Sequence, residues 1–339
     1  MPLTRLQLTN FTVFEDLDFR PNPGLNVFIG ANGTGKTHLM KVAYAACDVS
    51  ITEEDLDDKI VSLFLPSGRR LGRLVRRRQG VENCSIAVWN GRASLRVRFT
   101  SRRTDYIRYS GYEGWRSKKL PSAYIPVKEM LANAPGFISL YDRREIHFEE
   151  IYRDILTRAY VPVERGPIPR DRSQLLKILN KAMGGSVTSK NEEFFLRSKA
   201  GNLEFTLLAE GLRKLGLLWL LIRNGTLLEG SVLFWDEPET NLNPALYDPV
   251  VEILLALQRL GVQIFVATHD YSILKHFELG RDEDDDVQFH SLAIVDNGAS
   301  VELRSFDDLP SIDPNLILEA FDLLHDRDVD RTLERLQSE

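Results

Sequence analysis

Eight consecutive residues, Gly30-Ala31-Asn32-Gly33-Thr34-Gly35-Lys36-Thr37, limit what this chain can fold into more than any other stretch. Glycines at 30, 33 and 35 permit a tight turn in which successive backbone N–H groups converge, and the lysine and threonine that follow add an ammonium and a hydroxyl to the same concavity. Such a loop works between the carboxyl end of a buried strand and the amino end of a helix, whose dipole adds its positive pole. Both flanks are present: Leu25-Asn26-Val27-Phe28-Ile29 reads as a buried strand and Leu39 to Ala46 as an apolar helix. The pattern implies a nucleoside triphosphate held by Gly30, Asn32, Gly33, Thr34, Gly35, Lys36, Thr37 and His38. Lys36 would reach the β and γ phosphates, and Thr37 would ligate Mg2+.

Two further strand ends belong with this loop. Val232-Leu233-Phe234-Trp235 runs into Asp236-Glu237-Pro238-Glu239. Asp236 is the expected Mg2+ partner, and Glu237 is placed to orient or deprotonate an attacking water. Glu239 is a second candidate base, disfavoured by the turn at Pro238. The next apolar strand, Gln263 to Val266, ends in Ala267-Thr268-His269-Asp270. A neutral imidazole at His269 can hydrogen-bond a γ-phosphate.

Around these motifs the pattern expects a P-loop α/β nucleotide-binding domain from segments 1–60 and 201–310. An inserted antiparallel β lobe over 61–125, a helical subdomain with a hairpin over 126–200 and a carboxyl-terminal helix over 311–339 complete it. The first thirty residues read as a β-meander, and short alternating patterns cover 71–78, 84–89, 93–100 and 104–109. Helical periodicity covers Glu145 to Tyr160 and Ser173 to Met183, followed by a hairpin around Ala200-Gly201-Asn202. From Gly211 on, helix (212–223), strand (232–235), helix (245–259), strand (263–267) and helix (271–277) alternate, which argues for a parallel sheet covered by helices. A last hairpin, 287–294 with 300–304, turns through Asp296-Asn297-Gly298.

Composition excludes several classes. The chain has 339 residues, 43% of them hydrophobic, with two cysteines, which rules out a disulfide framework. No apolar run approaches a membrane span, and the amino terminus lacks a signal-peptide pattern, so a cytoplasmic protein without membrane contact is expected. The net charge of -6 conceals an asymmetry: between Arg69 and Arg108 stand twelve arginines and two acids, Glu82 and Asp105, whereas Asp282 to Asp286 is a run of acids. Arg92, Arg96 and Arg98 alternate with apolar Leu95, Val97 and Phe99, and Tyr106, Tyr109, Tyr112 and Trp115 lie nearby. That segment suits either a nucleic-acid backbone with base stacking or an acidic protein surface.

The order of phosphate loop, Asp236-Glu237-Pro238-Glu239 with Asn241-Leu242-Asn243-Pro244, and Thr268-His269-Asp270 resembles the ABC-type AAA ATPases of the RecF, SMC and OLD group. Leu8-Thr9-Asn10-Phe11 is similar to the group's first strand, and the resemblance runs from residue 1 to about 295. It implies a homodimer that sandwiches two MgATP molecules, with a higher oligomer as the alternative, Asn241–Pro244 as the loop lining the dimer seam and His269 as the switch histidine. Leu208-Ala209-Glu210-Gly211-Leu212-Arg213-Lys214 stands in the place of the signature that caps the opposite γ-phosphate, through Gly211. Ala209 departs from the usual serine, and Arg213 or Lys214 could supply charge instead or be solvated. Gln79 and the strand Ala123 to Glu129 are alternatives for the Q-loop. No heptad tract supports an SMC-type coiled coil, and the residues after the terminal hairpin are too few for a Toprim nuclease. Compact proteins of this appearance, PARIS and abortive-infection ATPases among them, stand beside separate nuclease or toxin effectors in antiphage defence. A RecF-like ATP-gated DNA-binding protein and a low-turnover ATP-dependent scaffold are the alternatives.

Overall fold

The computed structural model describes residues 2–338 except 53, 78–79, 81, 103–106, 164–165 and 296–299; for 332–334 and 336–338 it describes the backbone alone. In chain order the elements are β1 (Arg5–Phe11), β2 (Phe14–Phe19), β3 (Leu25–Ile29), α1 (Lys36–Asp48), α2 (Leu56–Phe64), β4 (Asn83–Asn90), β5 (Ala93–Thr100), β6 (Arg108–Ser110), α3 (Tyr112–Arg116) and β7 (Ser122–Ile125). There follow α4 (Phe137–Asp142), α5 (Glu150–Ala159), α6 (Arg170–Met183), β8 (Ser186–Lys190), β9 (Glu193–Ser198), β10 (Gly201–Glu204) and α7 (Glu210–Arg223). The last are β11 (Val232–Asp236), α8 (Tyr247–Arg259), β12 (Gln263–Ala267), α9 (Tyr271–Gly280), β13 (Val287–Val295), β14 (Ser300–Phe306) and α10 (Leu316–Ser338).

The central sheet has the order β14-β13-β3-β12-β11-β7, parallel from β13 to β7, with β14 antiparallel at one edge. Its strands are nearly continuous apolar runs because both faces are covered. One face, with Val27, Ile125, Leu233, Trp235, Ile264 and Val266, packs against the layer of α6, α7, α8 and α9. The opposite face carries aromatic rings across neighbouring strands. Phe28 stacks on Phe265, Phe265 on Phe234 and Phe234 on Tyr124, and Tyr44 of α1 meets the last two edge-on. Alternation along each strand thus divides two cores, and α1 seals the second.

The amino-terminal meander does not form. β1 and β2 make a hairpin in a second, antiparallel sheet of order β2-β1-β4-β5-β6, while β3 leaves it for the central sheet. For the same reason residues 61–125 are not a self-contained insert. β4 pairs with β1, so the amino terminus supplies two of the lobe's strands, and β7 lies in the central sheet beside β11. Of segment 71–78, the described residues 71–77 hold a short 3-10 turn at Leu71–Leu74 and a single bridge from Val75 to Phe11 instead of a strand. The hairpin near residue 200 gains a third strand, β8, in a small sheet of order β10-β9-β8 that crosses the expected boundary at 200. Residues 296–298, expected to turn the last hairpin, lie outside the described residues, as do Gln79 and Tyr106.

Candidate nucleotide site

Parallel pairing aligns three carboxyl ends. Asp236 stands level with Ala267, and Ala267 level with Phe28, so the ends of β11, β12 and β3 form one row. The strand of His269 follows that of Asp236 in sequence but lies between it and the phosphate loop in space.

The loop needs its glycines. Gly30, Gly33 and Gly35 all have positive φ, at 144°, 83° and 93°. A Cβ on Gly30 would lie 2.2 Å from the Leu292 carbonyl oxygen, and one on Gly35 would lie 2.6 Å from Val13 Cγ2. Thr34 is buried and its hydroxyl donates to the Ala31 carbonyl at 2.9 Å. Asn32 and Gly33 stand exposed at the tip. Lys36 is buried and its Nζ donates to the carbonyls of Gly30 at 2.7 Å and Ala31 at 3.1 Å. Burial pushes the Lys36 ammonium down to about 8, against the pull of Asp236, Glu237 and Glu239. The His38 ring packs beside Phe64 with its Nδ1 buried and unbonded, and burial with nearby Lys41 lowers it to about 4.

Asp236 is buried at the end of β11. It accepts from Thr37, and its Oδ2 accepts from the Tyr124 hydroxyl at 3.1 Å. Burial raises its pKa, and both hydrogen bonds oppose that rise. Thr37 and Asp236 therefore form a hydroxyl–carboxylate pair with oxygen donors suited to Mg2+. Tyr124 escaped the sequence reading: inside the apolar strand Ser122–Ile125, the phenol was the only hint of a polar role.

Glu237 has a φ of +47°, uncommon for a residue with a side chain. Its N–H donates to Ala267 O at 2.9 Å, and its Oε2 accepts from the Thr240 hydroxyl at 2.9 Å. Its Oε1 lies 3.6 Å from His269 Nε2. His269 is shifted below the ordinary imidazole value by burial and by Lys36, which favours its neutral form. Glu239 turns away from this group. Its Oε1 accepts from the Thr268 hydroxyl at 2.7 Å and from the His269 N–H at 3.0 Å, which ties the end of β12 to the end of β11.

The segment expected to carry the signature starts α7. Gly211 is buried, and a Cβ there would lie 2.8 Å from Asn241 O and 3.0 Å from Leu242 Cδ1, so this glycine lets the helix approach the 241–242 turn of its own chain. Arg213 and Lys214 are not solvated. Arg213 pairs with Glu129 at 2.6 Å and donates to Leu208 O, while Lys214 is 1% exposed and donates to Glu237 O at 3.3 Å and Thr240 O at 2.8 Å. Neither stands free to offer charge to an opposing phosphate.

The basic segment divides in the same way. Leu95, Val97 and Phe99 are buried as alternation requires, and Arg96 and Arg98 share the opposite face with Gln7, Thr9, Ser85 and Arg108 around a cavity of about 470 Å3. Among the described residues no carboxylate lies within ion-pair distance of Arg96 or Arg98. The aromatic residues are committed elsewhere: Trp115 is buried and donates to Ala46 O, Tyr109 binds Asp57, and the Tyr112 hydroxyl accepts from Leu56 N–H. Within the acidic run, Asp282 and Asp285 pair with Arg259, and no cluster able to hold a metal occurs among the described residues. Both cysteines are buried thiols pushed up by burial. Among the described residues no helix is long and apolar enough to cross a membrane.

Several known proteins are similar to this chain. A family model described as "AAA domain, putative AbiEii toxin, Type IV TA system" matches residues 25–275. The DNA replication and repair protein RecF of Renibacterium salmoninarum is 34% identical over 84 residues, 24% of this chain and 21% of that protein. RecF of Acidothermus cellulolyticus is 34% identical over 108 residues, 29% of each chain. The matched stretch is thus less than a third of these relatives. Among solved structures, the SMC head domain from Thermotoga maritima superposes with a TM-score of 0.50 at 14% identity, over 91% of this chain and 100% of that one. An SMC head bound to the C-winged helix domain of ScpA gives 0.54 at 12%, over 90% and 97%. These likenesses show a shared fold. With its phosphate loop, Asp236-Glu237 and His269 at the ends of adjoining parallel strands, the chain belongs to the family described as an AAA domain, putative AbiEii toxin, and shares its fold with SMC heads.

Proposed function

We propose that this chain binds and hydrolyses ATP as a homodimer closed around MgATP and thereby controls a separate effector, a nuclease or toxin, in antiphage defence. The observation that supports the reading is the row of strand ends, β3, β12 and β11, from which the phosphate loop, the His269 segment and Asp236-Glu237 leave the same edge of the central sheet. Phosphate oxygens would take over the Lys36 contacts now made to Gly30 O and Ala31 O. Thr37 and Asp236 would hold Mg2+, which supplies charge neutralisation at the β and γ phosphates. Glu237 takes the proton of the attacking water, and neutral His269 donates its single N–H toward the γ-phosphate. The effector and its defence setting rest on family resemblance, and dimer closure on the SMC-head fold. Glu237→Gln is expected to keep ATP, lose hydrolysis by about a hundredfold or more and accumulate dimer by light scattering. Unchanged hydrolysis would refute the assigned base.

The arginine-lined face of the antiparallel sheet favours a second reading, ATP-gated DNA binding. Its test is the salt dependence of DNA affinity in a variant lacking Arg96 and Arg98: each lost phosphate contact lowers the log–log slope by about one. The same slope in both proteins excludes that face.

A further inference from the structure

We propose that Lys214 is a positioning residue for hydrolysis, holding the main chain of Glu237 and the turn after it in the conformation that aims the base. The inference rests on the reading of Glu237 as the base. Glu237 and Asn241 adopt φ of +47° and +60°, a region that residues with side chains enter at a cost and keep only where their surroundings fix them. Sheet pairing fixes the Glu237 N–H through Ala267 O, and the Thr240 hydroxyl fixes the carboxylate. The carbonyls of the turn are held by Lys214, whose Nζ bonds both Glu237 O and Thr240 O. Thr240 N–H also donates to Glu237 O at 3.2 Å, so the lysine clamps both ends of a closed turn.

Lys214 comes from a different element. It lies three residues after Gly211, on the same side of α7, where the missing Cβ lets the helix approach Asn241 and Leu242. The residue is 1% exposed, and Glu210, Glu239, Glu237 and Glu129 favour its charge against the cost of burial. A buried lysine aimed at two main-chain carbonyls does more than fill space, because a leucine or methionine would pack there without desolvation. The bonds make the amino end of α7, the edge expected to face a second subunit, a rigid extension of the base. Movement of that edge is carried to Glu237 through Lys214.

Lys214→Met removes the donors while keeping most of the volume. Its kcat should fall about tenfold to a hundredfold, with the KM for ATP within about twofold, because Lys36 and Thr37 lie on α1 and, among the described residues, Lys36 shares no hydrogen-bond partner with Lys214. A merely structural role would lower thermal stability and leave that split absent. In the Glu237→Gln background Lys214→Met should cost less than about twofold more in single-turnover hydrolysis, since two residues acting through one step are not additive. Full additivity, or unchanged kcat in the single variant, overturns the proposal. If Glu237→Gln itself keeps wild-type turnover, the base assignment falls instead. Should Lys214→Met fail to melt cooperatively, Lys214→Gln serves, since its amide reaches one carbonyl only; wild-type kcat there also overturns the proposal.

Discussion

Behind the phosphate loop lies a buried ion cluster whose disruption gives a large, pH-dependent effect. Lys59 of α2 is 1% exposed, and its Nζ lies 2.7 Å from Asp48, 2.7 Å from Asp154 and 2.8 Å from Glu150, joining α1, α2 and α5. Lys59→Met leaves Asp48 with Arg158 at 2.5 Å and Asp154 with the Tyr44 hydroxyl at 2.7 Å, but removes the ion pair of Glu150. Uncompensated buried charge of this kind costs about 3–5 kcal/mol. At about 2–4 °C per kcal/mol for a domain of this order, the melting midpoint should fall by roughly 6–20 °C. The sign with pH follows from the carboxylates. In the native protein the cations hold Asp48 below its ordinary pKa, so its contribution is present above the unfolded value near 3.9 and is lost as pH falls through the folded one. Lys59 opposes the effect of burial at Asp48 and at Glu54, so without it their pKa values rise, and protonation then relieves them. The stability gap between native protein and variant should therefore be widest at pH 7–8 and narrow toward pH 5, as read from denaturant or thermal melts across that range. A gap under about 1 kcal/mol at pH 7.5, or one that widens on acidification, refutes the argument.

Lys36, lowered to about 8, should make ATP affinity fall as pH rises, by about tenfold per unit above that value, because the anionic phosphates favour the charged ammonium; titrations from pH 7 to 9.5 check this. Tyr124→Phe deletes the bond to Asp236, and hydrolysis should need about threefold or more Mg2+ with kcat at saturation retained, as read from Mg2+ titration. Glu239→Ala frees the ends of β11 and β12 from each other, so turnover should fall about tenfold while nucleotide Kd stays constant. Gly30→Ala places a methyl 2.2 Å from Leu292 O, and nucleotide binding should be lost in a binding assay even where the protein still folds.

The phosphate loop, the two acids after β11 and the histidine after β12 were legible because each stands at the end of an uninterrupted apolar run. In a parallel sheet such runs end on one edge. Sheet membership was not legible. Local pattern makes β1 to β3 a meander, yet β1 pairs with β4, more than seventy residues on, and the reward for that pairing is burial of Leu6, Leu8 and Phe11 against the α1–α2 layer. α2 was not legible because the acids Glu54, Asp55, Asp57 and Asp58 at its start mask its short apolar face. In the structure Lys59 turns inward, and burial beside Glu150 raises Glu54 to about 7. Charge alone could not distinguish solvated Arg213 and Lys214 from buried ones. Their partners Glu129, Glu237 and Thr240 come from distant segments that only the fold assembles. The same holds for Tyr109, Tyr112 and Trp115, whose spacing suggests a stacking platform and whose contacts are internal.

Isothermal titration of MgATP into the native chain and into Lys36→Ala tests the nucleotide cradle most directly. Saturable binding of one nucleotide per chain, dependent on Mg2+ and lost in the variant, is the result this account requires. Absence of binding by the folded native chain, or equal affinity in Lys36→Ala, contradicts it.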